Sequence, residues 1–114
     1  MNKYVTAEAI QRYAVVSKDS AAIHIDNEAA TRAGYKRPIA HGMYIMGLAQ
    51  SLYLADHPKQ WITEYDMKFQ KPLLVDTFAI FDFKSSDCNI EVTVTAETGD
   101  VIASGSFSVK ELEQ

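Results

Sequence analysis

Asp19, His24 and Gly42 are the residues of this 114-residue chain whose types and spacing best suit acid–base chemistry. A carboxylate beside an imidazole can transfer protons near neutral pH. Asp19 and His24 are five positions apart. On a helix this offset corresponds to ~500° of rotation, so the two side chains would point apart, and on a strand they would lie on opposite faces. The segment between them is therefore predicted to be a curved loop that brings them together.

Gly42 stands at the start of an apolar segment and can begin a helix there. A helix start has free N–H groups and a positive dipole end, and a glycine lets a ligand approach the backbone closely. Gly42 is therefore a candidate donor to an oxyanion. The alternative is structural: Asp19 and His24 are ordinary loop residues, and Gly42 only relieves crowding in a tight turn.

A basic cluster of Arg32, Lys36 and Arg37 stands out because the chain has a formal charge of −4. Such a cluster is either a solvated face or a grip on the phosphates of a ligand, and Lys68 and Lys71 could serve the same purpose. The net negative charge argues against general nucleic-acid binding, which needs a basic surface.

His24, Asp26 and His41 carry side chains that could bind a metal, but these residues form no compact ligand motif. Asp26 is more simply a loop residue beside Asn27, which can cap a helix. The single Cys88 excludes an internal disulfide and a multi-cysteine zinc site. No metal and no other cofactor are therefore expected.

Length and composition indicate one soluble domain over residues 1–114. The first residues carry no apolar run typical of a secretory signal. The most hydrophobic stretch, Met43 to Ala55, is too short to span a bilayer and includes Gln50 and Ser51. A cytoplasmic protein without membrane association is expected.

Helices are predicted in the first half of the chain: Ala7 to Val16 after a Thr6 cap, Asn27 to about Ala33, and Gly42 to about Ala55. The segment from Ser17 to Ile25 is predicted to be a loop. The helix from Gly42 is apolar around most of its circumference, which is typical of a buried helix.

Strands are predicted in the second half: Trp61–Gln70, Thr77–Lys84, Asn89–Glu97 and Val101–Lys110. Turns are predicted at Ser86-Asp87 and at Glu97-Thr98-Gly99-Asp100. Consecutive strands with tight turns predict an antiparallel meander. The fold class is therefore α+β, with one buried helix covering the sheet.

Three ordered segments of this chain resemble the MaoC-like or (R)-specific enoyl-CoA hydratase family. They are Ser17–Asp26, with an Asp and a His five residues apart; Arg37–Met43, which ends in His-Gly-Met; and Met67–Thr77, which looks like the family's entry to a long strand. Together with Ala29 and Ala30, they extend the resemblance from about Tyr13 to Phe83. It implies a single hot-dog domain, in which an antiparallel sheet wraps around a central buried helix.

The resemblance also implies roles for individual residues. Asp19 and His24 would hold and activate a water molecule, and Gly42 would donate its N–H to a thioester carbonyl. Four more residues are expected to bind the substrate: His41, Met43, Arg37 and Lys36. The chain departs from the family pattern at four positions, where Lys18, Ala21, Ala22 and Val75 replace Gly, Asn, Pro and Gly, respectively.

The implied activity is that of a lyase: reversible, (R)-specific hydration of a trans-2-enoyl thioester of coenzyme A or acyl-carrier protein. Three alternatives stay open: a hot-dog acyl thioesterase, a non-catalytic acyl-thioester-binding subunit of a heteromeric dehydratase, and a dehydratase for a small molecule that is not a thioester. A homodimer or higher oligomer is expected, because a small domain cannot hide a large apolar face and an edge strand alone.

Overall fold

The computed structural model describes residues 1–112 and has the predicted α+β composition. Its elements are β1 (Asn2–Val5), α1 (Ala7–Ser17), α2 (Ala22–Ile25), α3 (Asn27–Arg32), α4 (Gly42–Asp56), β2 (Gln60–Phe69), β3 (Thr77–Ser86), β4 (Asn89–Ala96) and β5 (Val101–Glu111). The predicted strands and longer helices are present within two residues of their expected ends. No helix among residues 1–112 is long and apolar enough to cross a membrane.

The five strands form one antiparallel sheet in the order β1-β3-β4-β5-β2. The predicted meander is correct for β3, β4 and β5 but wrong for β2, which pairs with β5 rather than with β3. The segment between β2 and β3 does not form a tight turn, because it makes backbone hydrogen bonds with the segment that precedes α4. Ile39 forms a bridge with Leu74, and the Ala40 N–H donates to the Leu73 carbonyl at 2.8 Å.

The tight turns of the sheet lie at or next to the predicted positions. Gly99 has a φ of 95°, and its N–H donates to the Ala96 carbonyl at 2.9 Å, as the predicted turn from Glu97 to Asp100 requires. The other turn consists of Asp87 and Cys88, one residue later than predicted. The strand β1 was not predicted, because four residues are too few to show a hydrophobic period.

The helix α4 packs against the sheet with only one face. Ile45, Ala49 and Tyr53 are buried, at the four-residue spacing of a single helical stripe. Met43 and Gly47 are exposed, and other apolar residues are half-buried: Tyr44, Met46, Leu48, Leu52 and Leu54. Within the single chain the predicted buried helix is buried along one stripe, because the sheet covers α4 from one side.

The predicted loop from Ser17 to Ile25 is also partly wrong, since Ala22–Ile25 form the helical turn α2. The next helix, α3, is capped by Asp26 rather than by Asn27. The Asp26 carboxylate accepts from the Glu28 N–H at 3.1 Å. Asp26 therefore has a structural role at the start of α3.

Candidate active site

The turn after α1 brings Asp19 back toward the rest of the chain. Lys18 adopts the left-handed conformation, with a φ of 60°. The N–H of Asp19 then donates to the Ala14 carbonyl at 3.1 Å, and that of Lys18 to the Val15 carbonyl at 3.4 Å. These bonds end α1 with a left-handed cap, a position that favours glycine. The left-handed conformation at position 18 is a physical reason for the Gly that the family resemblance implies there.

The short helix α2 carries His24, and a backbone carbonyl orients its ring. The Nδ1 atom of His24 lies 2.7 Å from the Ile39 carbonyl oxygen. Because a carbonyl can only accept, Nδ1 must donate, and in the neutral ring Nε2 keeps its lone pair. Ile39 is itself held, since its N–H donates to the Ile23 carbonyl at 3.0 Å. The His24 ring is therefore set to accept a proton at Nε2.

His41 lies just before α4 and is only 3% exposed. Its Nε2 donates to the backbone carbonyl of Asp19 at 2.8 Å, which ties the turn after α1 to the start of α4. Its ring stacks on that of His24, with centroids 3.8 Å apart and planes 21° apart. Its Nδ1 has no hydrogen-bond partner among residues 1–112. These contacts make His41 a positioning residue for both members of the predicted pair.

Gly42 is the first residue of α4, as predicted. Within the described chain its N–H has no backbone or side-chain acceptor, whereas the N–H groups of Tyr44 and Ile45 already donate to the His41 carbonyl. A free donor at the positive end of a 15-residue helix can stabilise an oxyanion. The ring of Phe69 lies next to Gly42. Its Cζ would be 3.1 Å from a Cβ atom added at this position.

These groups line one surface cleft of about 530 Å³. Its walls are formed by Tyr13, Ser17, Asp19, His24, His41, Gly42, Met43 and Phe69. The structure therefore brings Asp19 and His24 together with Gly42, His41 and Met43. An acid–base pair and an oxyanion donor in one cleft can add a nucleophile to a polarised carbonyl compound.

Lys36 and Arg37 lie elsewhere, in a second cavity of about 520 Å³ that they share with Lys71. Arg37 donates its Nε to the Val75 carbonyl at 3.0 Å, which leaves its terminal amino groups for a ligand. Lys71 pairs with Asp100 at 3.0 Å. This hydrogen bond, with a second one from Thr98, lowers the pKa of Asp100.

A third cavity, of about 430 Å³, lies between the other two. It shares Tyr35, Lys71, Pro72 and Leu73 with the basic cavity, and His24, Gly42 and Phe69 with the cleft. The three spaces therefore adjoin in series, with the basic cavity at one end and the Asp19–His24 pair at the other. The predicted substrate-binding residues fall into two groups at the two ends of this path.

The acidic residue near the two histidines is Asp19, not Asp26 as the metal alternative supposed. Potential ligand atoms of Asp19, His24 and His41 lie within 4.8 Å of one another. The stacking of the imidazoles opposes a shared ion, however. An ion between two nearly parallel rings would lie well out of both ring planes, whereas a ring nitrogen lone pair lies in its plane.

Sequence reasoning did not assign Tyr13, Tyr35 or Phe69 to the site. The ring of Tyr13, on α1, meets that of His41 edge to face at 4.9 Å. Phe69 stood within a quoted motif but received no role. Its proximity to Gly42 depends on the fold, because 27 positions separate the two residues.

Comparison with known proteins gives this geometry a context. The family model described as "MaoC like domain" matches residues 2–105. Among curated proteins, the peroxisomal multifunctional enzyme type 2 of Drosophila melanogaster is 28% identical over 109 residues, which are 92% of this chain and 18% of that protein. A mitochondrial 3-hydroxyacyl-[acyl-carrier-protein] dehydratase of Arabidopsis thaliana is 29% identical over 70 residues, 61% of this chain and 42% of that protein. The chain thus spans less than half the length of both relatives.

Solved structures support the fold. The (R)-hydratase of A. caviae, described as involved in PHA biosynthesis, superposes with a TM-score of 0.82 at 22% identity, over 99% of this chain and 92% of that one. The predicted hot-dog fold is confirmed by this likeness. Because the family model covers nearly the whole chain, including Asp19, His24 and Gly42, the protein belongs to the MaoC-like domain family.

Proposed function

We propose that this chain catalyses the reversible hydration of a trans-2-enoyl thioester to the (R)-3-hydroxyacyl thioester. The observation that carries the proposal is the cleft in which Asp19, His24 and the free N–H of Gly42 meet. The names of the relatives support it, since they are a hydratase, a dehydratase and a multifunctional enzyme. The lyase class and the thioester substrate are both part of the proposal.

The proposed reaction begins with a water molecule held by the Asp19 carboxylate and by Nε2 of His24. As the water oxygen bonds to the β-carbon, the pair removes one proton from the water. The electrons of the carbon–carbon double bond move toward the thioester, whose oxygen becomes an enolate. A proton returned by the pair to the α-carbon completes the hydration.

The Gly42 N–H stabilises the enolate oxygen in this scheme. A positioned acid–base pair contributes roughly 10²–10⁴ in rate, and one oxyanion donor about 10²–10³. The Ile39 carbonyl contributes indirectly, because it keeps the unprotonated Nε2 of His24 available. His41 fixes the pair through its bond to the Asp19 carbonyl and its stacking on His24.

The series of cavities suggests how the thioester would be oriented. The phosphates of coenzyme A or of a carrier-protein arm would lie near Lys36, Arg37 and Lys71, where cationic groups line the wall. The arm would then follow the third cavity to Gly42. This orientation places the acyl chain in the cleft with Asp19 and His24.

Hydration of crotonyl-CoA by the purified protein, followed by loss of the enoyl absorbance, tests the proposal. Chiral analysis should show a single enantiomer, because one pair on one side of the cleft serves one face of the substrate. The family resemblance implies that this enantiomer is the (R)-3-hydroxybutanoyl thioester. An (S)-product would contradict the proposed (R)-specificity. Release of free thiol without a hydroxyacyl product would instead favour a thioesterase, and binding without turnover would favour a non-catalytic subunit.

A further inference from the structure

Phe69 stands at the junction of the two cavities that reach His24. It is the last residue of β2 and is 44% exposed. Three atoms at the tip of its ring, Cζ, Cε2 and Cε1, lie 3.1, 3.2 and 3.4 Å from the place that a Cβ on Gly42 would occupy. The ring tip therefore packs directly against the first residue of α4.

The position of the ring conflicts with the path of the proposed substrate. A thioester that extends from the third cavity into the cleft must cross the group that both share, which is His24, Gly42 and Phe69. An acyl chain needs about 3.5–4.0 Å to the atoms on each of its sides. The space between the ring tip and Gly42 is too narrow for such a chain, so a chain that passes beside the Gly42 N–H displaces the ring.

The surroundings of Phe69 allow that movement. The side chain is half-exposed and is not part of the buried core cluster. It ends an edge strand, and neighbouring residues on both sides, Lys68 and Gln70, are exposed. Rotation of the ring away from Gly42 therefore leaves the core of this chain unchanged.

We infer that Phe69 is a specificity gate: its ring separates the two cavities and limits the acyl chains that the cleft accepts. The inference rests on the proposed function for the orientation of the thioester. A short acyl chain displaces the ring only near Gly42. A longer acyl chain also needs the space that the ring occupies in the cleft, so the ring disfavours its binding.

The experiment compares kcat/KM for crotonyl-CoA and trans-2-octenoyl-CoA in the unmodified protein, Phe69→Ala and Phe69→Leu. Removal of the ring should raise the octenoyl-to-crotonyl ratio at least about tenfold, since one methylene in a hydrophobic pocket is worth roughly 10–200-fold. Phe69→Leu should give an intermediate ratio. The matched control is Phe78→Ala, because Phe78 is 43% exposed, packs on Tyr4 and lines neither cavity.

A binding measurement separates the gate from the reaction. Calorimetry with butanoyl-CoA and octanoyl-CoA, which have no double bond to hydrate, should show the same shift toward the longer chain in Phe69→Ala. That shift in a protein without hydratase activity would remove the proposed reaction but keep the gate. An unchanged ratio in Phe69→Ala, an equal change in Phe78→Ala, or no binding of either thioester by any variant would overturn the gate.

Discussion

At the scale of single residues, the chemistry of the site depends on which ring nitrogens of His24 and His41 already form hydrogen bonds. Carbonyl oxygens fix Nδ1 of His24 and Nε2 of His41 as donors. Nε2 of His24 is then the accessible base in the cleft, because Nδ1 of His41 is buried, although it has no partner among residues 1–112. The assignment of the chemistry to Asp19 and His24 follows from this division of roles.

Loss of either member of the pair should stop the reaction but not the folding. Asp19→Asn removes the negative charge at constant size and His24→Ala removes the imidazole. Each should lower kcat for crotonyl-CoA by at least ~10². The double variant should be little worse than either single one, because the groups act as a unit.

Asp26→Asn is the matched control for the pair. It removes a carboxylate two positions from His24, yet Asn can still cap α3. This variant should keep a near-normal rate. A folded Asp19→Asn protein that hydrates crotonyl-CoA at the normal rate would sink the assignment of Asp19.

A methyl group at Gly42 should harm catalysis and packing separately. In Gly42→Ala the new Cβ meets the Phe69 ring at 3.1 Å and also crowds an oxyanion at the N–H. We expect a lower midpoint of thermal unfolding and a kcat reduced at least about tenfold. Adding Phe69→Ala should restore the midpoint but not the rate. If the double variant recovers both, Gly42 only relieves crowding.

At the scale of elements, the one-turn helix α2 is the least supported part of the site. Its N-cap is Ala21, which has no side-chain hydrogen bond, and its first residue is Ala22. Asn and Pro are the residues favoured at those two positions. The Asn-Pro pair expected from the family resemblance therefore has a local structural reason, and this chain lacks both residues.

The variant Ala21→Asn/Ala22→Pro should stabilise α2 and thereby His24. Ala21 has a φ of −55° and a ψ of 136°, which is compatible with a following proline. We expect a gain of about 0.5–2 kcal/mol in unfolding free energy from the cap, measured by urea denaturation, together with a higher kcat. Ala29→Asn, inside α3, should give neither effect. A less stable double variant would contradict the capping role of position 21.

A tyrosine links β2 to the second turn of α4. The Tyr65 hydroxyl donates to the Met46 carbonyl at 2.9 Å, and burial raises the pKa of Tyr65 to about 12. The folded state thus keeps this phenol neutral above the ordinary pKa of 10.0. The stability from this shift is complete below pH ~10 and falls as the pH rises toward ~12.

Phenolate absorbance provides the measurement for Tyr65. The difference between the titrations of the unmodified protein and Tyr65→Phe should show one group ionising near pH 12 rather than near 10. The variant should also lose less stability between those pH values. A difference titration with its midpoint near pH 10 would contradict the burial of the Tyr65 hydroxyl.

At the scale of the whole molecule, the single chain is flatter than a typical domain of its length. Its radius of gyration is 14.9 Å and its extents are 50 × 30 × 20 Å, whereas about 13 Å is typical for this length. The edge strand β2 has a neighbour on one side only. Together with the exposed Met43 and Trp61, these features indicate an apolar face available to a second copy.

We therefore predict a dimer or higher oligomer at micromolar concentration, which light scattering can measure. Trp61→Asp places a charge on β2 and should weaken association. Phe78→Asp changes an aromatic residue of similar exposure on β3 and should not. A stable monomer of 12.7 kDa in the unmodified protein would contradict the prediction.

Local patterns in the sequence determined much of the secondary structure of this protein. The alternation of apolar and polar residues predicted the strands, and the apolar run after Gly42 predicted α4, because these periods arise from backbone geometry alone. The resemblance of the Asp–His and His-Gly-Met segments to the MaoC-like family predicted which residues meet at the cleft. The partners of those residues were not predictable from spacing.

Only the tertiary structure decided how the site is held and reached. The Ile39 carbonyl is 15 positions from His24, and the Asp19 carbonyl is 22 from His41. The pairing of β2 with β5 brings Phe69 onto Gly42, and the folded path of residues 36–41 separates Lys36 and Arg37 from the Asp19–His24 pair. Contacts between distant segments depend on packing of the whole sheet and α4, and no local period of the sequence records them.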